Sequence, residues 1–395
     1  MSTQPQTLDL VLDPEDNARL ANLCGPLEQH LRQIERRLGI EISNRGLSFR
    51  LMDDDGILAA GHEVAFLQFE VPVAVPGPEA DIDHLQPVEV TEGGGTQLVL
   101  RGNDFRVAFD RGSGQIVSYT YKGTDLLLEG PRPNFWRPPT DNDYGARLQE
   151  RLRVWKDAGD FMRVQTMEVR HVTPQVVEVY FRSLLPEADS SAYELTYTVL
   201  GNGQVTIEGC LTPGPGDLPM LPRFGMRMNL PGSFRRLEWF GLGPQETYQD
   251  REAGARVGRF GGSVAAQFHP YVRPQETGNK TGVRWLALED DGGTGLLVTG
   301  DTLLSASALH FLQEDLDEGP RKHQRHSGQL RPRNLVELNV DYRQMGVAGI
   351  NSWGALPLPQ YTLPYEPYTV RFSLTPYDAS VRDPGELARI HLPRP

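Results

Sequence analysis

The sequence predicts a mainly β protein: one large antiparallel sandwich preceded by a small α/β segment. Three observations carry that prediction. First, several stretches alternate apolar and polar residues with a period of two. Tyr193, Leu195, Tyr197 and Val199 lead through the turn Gly201-Asn202-Gly203 to Val205 and Ile207. The pattern returns at Phe224, Met226, Met228 and Leu230, at Val336, Leu338, Val340 and Tyr342, and at Tyr368, Val370, Phe372 and Leu374. Strict alternation with polar partners is the pattern of half-buried antiparallel strands. Second, 41 glycines and 31 prolines in 395 residues imply many turns and few long helices. Third, the chain is 38% apolar, enough to bury a sizeable core, and this composition together with the many glycines and prolines excludes a coiled coil, a helical solenoid, collagen or a disordered tail protein.

Taken in order, residues 8–12 read as a short strand. Asp13-Pro14-Glu15-Asp16 then opens a helix with a polar cap, a proline and acids, and carries Leu20 and Leu23 on one face. Gly25-Pro26 interrupts it. A second helix follows with Leu27, Leu31, Ile34 and Leu38 as an amphipathic stripe. Residues 40–51 read as a hairpin turning at Asn44-Arg45-Gly46. At Met52-Asp53-Asp54-Asp55-Gly56 the texture changes, and from there to about residue 376 strands and turns dominate, with Ala146–Val154 the one weak helical break. Residues 72–95, rich in proline, glycine and acids, have linker composition. The predicted organisation is therefore an α/β segment over 1–51, a short strand group over 53–72, a linker over 73–96, the sandwich over 97–378 and a loosely packed tail over 379–395. A strand group that small leaves an apolar face in search of a partner, so poor behaviour as an isolated monomer is expected.

The net charge of −13 repels a phosphate backbone, so nucleic-acid binding by the chain as a whole is disfavoured. Cys24 and Cys210 allow one disulfide at most and form no framework. The first residues are polar, without an apolar signal region, and no apolar run reaches the ~18–20 residues of a membrane helix, so a cytoplasmic location is expected.

Of nine histidines only His323 and His326 lie close together, and no HExxH or paired CxxC occurs, so no metal site is expected. Gly278-Asn279-Lys280-Thr281 fails as a phosphate loop because position 273 is Arg273 rather than glycine. No G-x-S-x-G elbow appears. The cations Arg321, Lys322, Arg325, Arg331 and Arg333 follow the acids Glu314, Asp315, Asp317 and Glu318, which reads as a solvated loop with internal ion pairs. Glycoside hydrolysis with retention requires two carboxyls ~5–5.5 Å apart. Glu246, Asp250, Glu276, Asp141 and Asp143 are candidates, but spacing alone cannot make any two of them converge, and turn caps are the competing reading. Among the tryptophans, Trp285 sits in an alternating strand and reads as core. Trp353, between Asn351-Ser352 and Gly354, reads as a ring displayed on a loop, the kind of face that stacks on a sugar.

Four longer segments carry a resemblance. Asn134-Phe135-Trp136-Arg137-Pro138-Pro139-Thr140-Asp141-Asn142-Asp143-Tyr144-Gly145 comes first. Trp239-Phe240-Gly241-Leu242-Gly243-Pro244-Gln245-Glu246-Thr247-Tyr248 and Pro270-Tyr271-Val272-Arg273-Pro274-Gln275-Glu276-Thr277-Gly278-Asn279 follow. Asp341-Tyr342-Arg343-Gln344-Met345-Gly346-Val347, running into Asn351-Ser352-Trp353-Gly354, is the last. In this order they resemble the C-terminal, small-chain region of β-galactosidases of glycoside hydrolase family 2, over residues ~56–376. The resemblance implies a galactose-mutarotase-like supersandwich. Gly61-His62-Glu63-Val64-Ala65-Phe66-Leu67-Gln68-Phe69 is similar to the last strands of the immunoglobulin-like domain that precedes it in that family. Residues 1–51 resemble the N-terminal KH-like module of PhoH-type ATPases, without a GXXG loop, so the chain looks like two gene segments joined near Met52.

In the β-galactosidase family both catalytic glutamates and the magnesium and sodium sites lie in a barrel of ~250 residues, for which the first 50 residues have no room. The resemblance thus implies no catalytic residue and no cofactor here. It implies a galactoside substrate, a large barrel-bearing partner chain, and one sugar contact, Trp353. Asn351 stands beside it where the family carries acids. The alternative is a stand-alone carbohydrate-binding or epimerase-like module, for which His269 and Glu276 are the nearest candidates, or a rearranged fusion without function.

Overall fold

The computed structural model describes residues 6–11, 31, 35, 41–45, 48–53, 81–93, 95–351 and 353–390. They fall into two compact units, Met1–Val75 and Pro76–Pro395.

In the first unit, β1 (Gln6–Val11), β2 (Glu41–Arg45) and β3 (Ser48–Asp53) form an antiparallel sheet in the order β1-β3-β2. The predicted hairpin is β2–β3, pairing Ile42 with Leu51. Leu31, which is helical, and Phe49 of β3 are both buried, and the Glu35 carboxylate accepts the Ile42 N–H at 2.8 Å. The rest of both predicted helices, the strand group over 53–72 beyond Asp53, and Cys24 lie outside the described residues.

The second unit opens with a five-stranded antiparallel meander: β4 (Glu89–Glu92), β5 (Gln97–Arg101), β6 (Phe105–Asp110), β7 (Ile116–Tyr121) and β8 (Thr124–Leu127). The first of these strands falls inside the stretch read as linker, because Val88 and the pairing of Val90 with Leu100 tie it to the sheet. The larger sheet follows. Its strands are β9 (Glu129–Asn134), β10 (Arg163–Thr173), β11 (Val176–Leu185), β12 (Ser191–Leu200), β13 (Val205–Thr212), β14 (Arg223–Pro231), β15 (Phe234–Gly243), β16 (Arg256–Ser263), β17 (Lys280–Asp290), β18 (Thr294–Leu309), β19 (Leu335–Gln344) and β20 (Tyr368–Asp378). The main path runs β10-β11-β12-β13-β20-β18-β17-β15-β16. Strand β18 makes the sheet fork: its first half, Thr294–Gly300, pairs with β20, and its second half, Ser305–Leu309, pairs with β19, which leads on through β14 to β9.

The meander packs on this sheet through aromatic rings. Phe109 of β6 lies 5.0 Å from Tyr197 of β12 between ring centroids, and Phe181 of β11 meets Tyr197 edge-on. The hydroxyls of these buried rings need partners: Tyr197 donates to the Gly114 carbonyl at 3.0 Å and Tyr119 to the Gly203 carbonyl at 2.5 Å. Strand β12 alternates buried and half-buried positions as its period predicts. Strand β14 does not. Its apolar residues face the core, but Arg223, Arg227 and Asn229 on the other face are buried as well, so half-burial is corrected there to burial on both sides.

The predicted helical break over Ala146–Val154 contains α2 (Leu148–Arg151), and α1 (Asp141–Gly145), which the sequence did not predict, lies just before it. Two further short helices are α3 (Gln313–Leu316) and α4 (Pro384–Leu387). The tail, read as loosely packed, is docked through residue 390. Asp383 caps α4 and pairs with Arg259 at 2.6 Å, and Leu387 and Ala388 pack against Trp285, Leu297 and Tyr377.

Candidate functional site

Three of the four motif segments, 134–145, 270–279 and 341–354, meet around α1, and the other, 239–248, joins 270–279 where Asn279 Nδ2 donates to the Thr247 carbonyl at 2.8 Å. Thr140 caps that helix by accepting the Asp143 N–H at 3.1 Å, while the Asp143 carboxylate accepts the Thr140 N–H at 2.9 Å, a capping box. The same carboxylate takes a two-pronged bond from the buried Arg137, with Nη2–Oδ1 3.0 Å and Nε–Oδ2 3.2 Å. Arg137 spends its remaining donors on the carbonyls of Met345 and Gly346, just beyond β19, and on the Gln344 side-chain oxygen at 3.4 Å. A planar guanidinium with five donors suits that double duty.

This ties α1 to the segment that carries Trp353. Asn142 Nδ2 donates to the Val347 carbonyl at 2.7 Å. From the other side, Asp250 accepts the Val347 N–H at 3.0 Å on Oδ1 and the Ala348 N–H at 2.8 Å on Oδ2. Gln249 Nε2 donates to the Gln344 carbonyl at 2.7 Å. Ala348 and Gly349 take φ values of +57° and +137°, and the chain turns outward. The Asn351 side chain accepts the Trp353 N–H at 2.9 Å, and Gly354, with φ +118°, rests against Gly145 of α1. The Trp353 ring is 90% exposed, while Trp136, Trp155, Trp239 and Trp285 are 0–6% exposed. Trp285 is core, as its strand predicts.

Beside this loop, Asp141 receives Arg273 at 2.9 Å and Lys322 at 3.0 Å, and both cations lie over the Tyr144 ring. Beneath it runs a buried polar layer. Arg223 Nη2 donates to Glu276 Oε1 at 3.1 Å, Arg223 Nε lies 3.2 Å from Asp341 Oδ2, and Gln344 Nε2 donates to the same Glu276 oxygen at 3.3 Å. Arg227 pairs with Glu314 at 2.6 Å and with Glu337 at 3.6 Å. Burial lifts the carboxyls of Asp341 and Glu337 to about 7 and lowers the Lys280 ammonium to about 8.

The sequence candidates separate accordingly. Glu246 accepts the Gly278 N–H at 2.7 Å and also binds Arg251 and Tyr271. With Asp141, Asp143, Asp250 and Glu276 already described, each acid weighed for glycoside chemistry is taken up by internal bonds. Glu276 is buried in the Arg223 pair, whereas His269 is exposed and sits edge-on to Tyr271 at 4.5 Å, so the two present no common site. Among the described residues no group of three or more His, Cys, Asp and Glu side chains gathers to hold a metal, and no helix is long and apolar enough to cross a membrane. Sequence reasoning missed the Arg223–Arg227 layer. The signal was present: two arginines four apart in an apolar strand, and Glu337, Asn339 and Asp341 at alternate positions of another. The strands pair so that Arg227 lies opposite Asn339 and Asn229 opposite Glu337.

The fold is thus an antiparallel sandwich in which the five acids weighed for glycoside chemistry are bonded internally, while the Trp353 indole stands bare at the end of a clamped loop. Residues 101–374 match the family described as the β-galactosidase small chain. The chain belongs to that family. It is 38% identical over 333 residues to a β-galactosidase of Priestia megaterium, covering 84% of this chain and 31% of that protein. It is 34% identical over 266 residues to a β-galactosidase of Lactobacillus delbrueckii subsp. bulgaricus, covering 67% and 26%. The chain therefore spans a third or less of the length of these curated relatives. A solved structure of a galactose mutarotase related enzyme from Lactobacillus acidophilus is similar over 72% of this chain and 98% of its own, at 8% identity and a TM-score of 0.40. At that distance nothing about activity carries over.

Proposed function

We propose that this chain completes the active site of a β-galactosidase whose catalytic carboxylates belong to a barrel-bearing partner chain, and that Trp353 is its platform for the sugar of a terminal β-galactoside. The observation that carries the reading is the contrast within the site. The acids near the loop are bonded internally, while the Trp353 indole is bare at the end of a loop clamped from both sides. An exposed aromatic face stacks on sugar C–H groups and orients the ring, and orientation is worth a large share of a barrier even when other groups break the bond. Asn351 acts by shaping the turn that carries the ring. On this reading the magnesium and sodium sites implied by the family belong with the barrel, and the assembly works in the cytoplasm. Separately, we propose that residues 1–51, whose described strands form the antiparallel β1-β3-β2 sheet, are a KH-like module.

The test is hydrolysis of a chromogenic β-galactoside by the purified chain, alone and mixed with a large-chain β-galactosidase lacking this region. Activity only in the mixture, lowered by Trp353→Ala, is the expected result. Activity from the chain alone would refute the reading, because the bond-breaking carboxylates would then have to lie here.

A further inference from the structure

We infer that Asp250 is the positioning residue for the Trp353 platform, a role that rests on the small-chain reading for its catalytic consequence and on geometry alone for its structural one. Asp250 lies in the tight turn 248–251, closed by the bridge between Tyr248 and Arg251. From there its two carboxylate oxygens accept two consecutive backbone N–H groups, those of Val347 and Ala348, at 3.0 and 2.8 Å. Consecutive N–H groups converging on one anion form a nest, and bonds to a charged acceptor are the stronger kind. The nest falls where the chain leaves its ordinary path. Ala348 has φ +57°, a conformation that a residue with a Cβ keeps only when its surroundings over-determine it. Gly346, immediately before Val347, has no room for a side chain, because a Cβ there would run into the same carboxylate. The carboxylate thus fixes the bend from which the chain proceeds to Asn351 and Trp353. Its bonds go to the loop backbone and not to the indole, so it acts through the loop.

Asparagine at 250 would offer one acceptor and set an amide N–H₂ against the second backbone N–H. The Gly346→Ala change attacks the same contact from the opposite side. Because Trp353 is 90% exposed and the other tryptophans are 0–6% exposed, iodide-quenchable fluorescence reports the Trp353 loop by itself. Anisotropy of that quenchable fraction is to be measured in the full chain for wild type, Asp250→Asn and Gly346→Ala, alongside each melting temperature. Fast local motion of the ring in both variants, with the fold still melting cooperatively, is the expected result. A ring as restrained in Asp250→Asn as in wild type overturns the proposal.

With the barrel-bearing partner present, Asp250→Asn should raise KM about tenfold, the loss of one charge-assisted bond. In a Trp353→Ala background the same change should have no further effect. A tenfold loss that persists without the ring overturns the positioning role. If the wild-type mixture is inactive, the small-chain reading fails by itself, and the fluorescence still decides the role of Asp250.

Discussion

Arg137 and Trp353 mark the two ends of what a single residue does in this site. The Arg137 side chain is 1% exposed and pairs with Asp143, itself 7% exposed, while also holding the carbonyls of Met345 and Gly346. Removing one partner of such a pair leaves an uncompensated buried charge, which costs about 3–5 kcal/mol. Arg137→Met is therefore expected to lower unfolding free energy by that order in a denaturant titration, and to loosen α1 together with the loop. The Trp353 ring contacts little, so Trp353→Ala is expected to change stability by no more than about 0.5 kcal/mol. Equal losses for the two variants would show that the ring is structural and is not offered to a ligand.

At the scale of elements, β14 and β19 explain both what could be read from the sequence and what could not. Period two located both strands, because each has one face on the apolar core: Phe224, Met226, Met228 and Leu230 on one, Val336, Leu338 and Val340 on the other. It could not reveal that the opposite faces are buried too, since a polar residue looks the same whether it meets water or an ion-pair partner from a distant segment. Glu276 and Arg223, 53 positions apart, become neighbours only through the fold. The Trp353 loop was legible as a displayed ring because turn residues flank it. Its clamp was not legible, for the same reason of distance.

The buried layer also sets a pH dependence. Burial raises the Asp341 carboxyl from an ordinary value near 3.8 to about 7, against the pull of Arg223. A carboxyl that holds its proton more tightly folded than unfolded stabilises the fold at low pH. That contribution is full below about 4 and is lost as pH rises to about 7. Melting temperatures of wild type and Asp341→Asn, compared from pH 4.5 to 8, should therefore diverge. Wild type should lose ground to the variant as pH rises, whereas parallel curves would mean that Asp341 is ionised throughout.

For the whole molecule, the division into Met1–Val75 and Pro76–Pro395 makes a physical claim about cooperativity. The described members of the main core run from Val88 to Leu374, and the matched family region, 101–374, lies inside the same unit. A unit with its own core folds as one. The segment before residue 81 carries the apolar stretch Val64-Ala65-Phe66-Leu67-Gln68-Phe69, whose sequence reads as strands in search of a partner. Residues 81–395 produced alone should then keep the melting temperature of the β unit in the full chain, and should elute as a narrower species than the full chain does. The fragment should also replace the full chain in the mixed galactoside assay, because Trp353 and everything that clamps it lie within it. A fragment that melts lower or precipitates would mean that residues before 81 complete the sandwich. A stable fragment that fails in the mixture would place an essential contact to the partner in the first unit, and would move the search for function from the Trp353 loop to the β1-β3-β2 sheet.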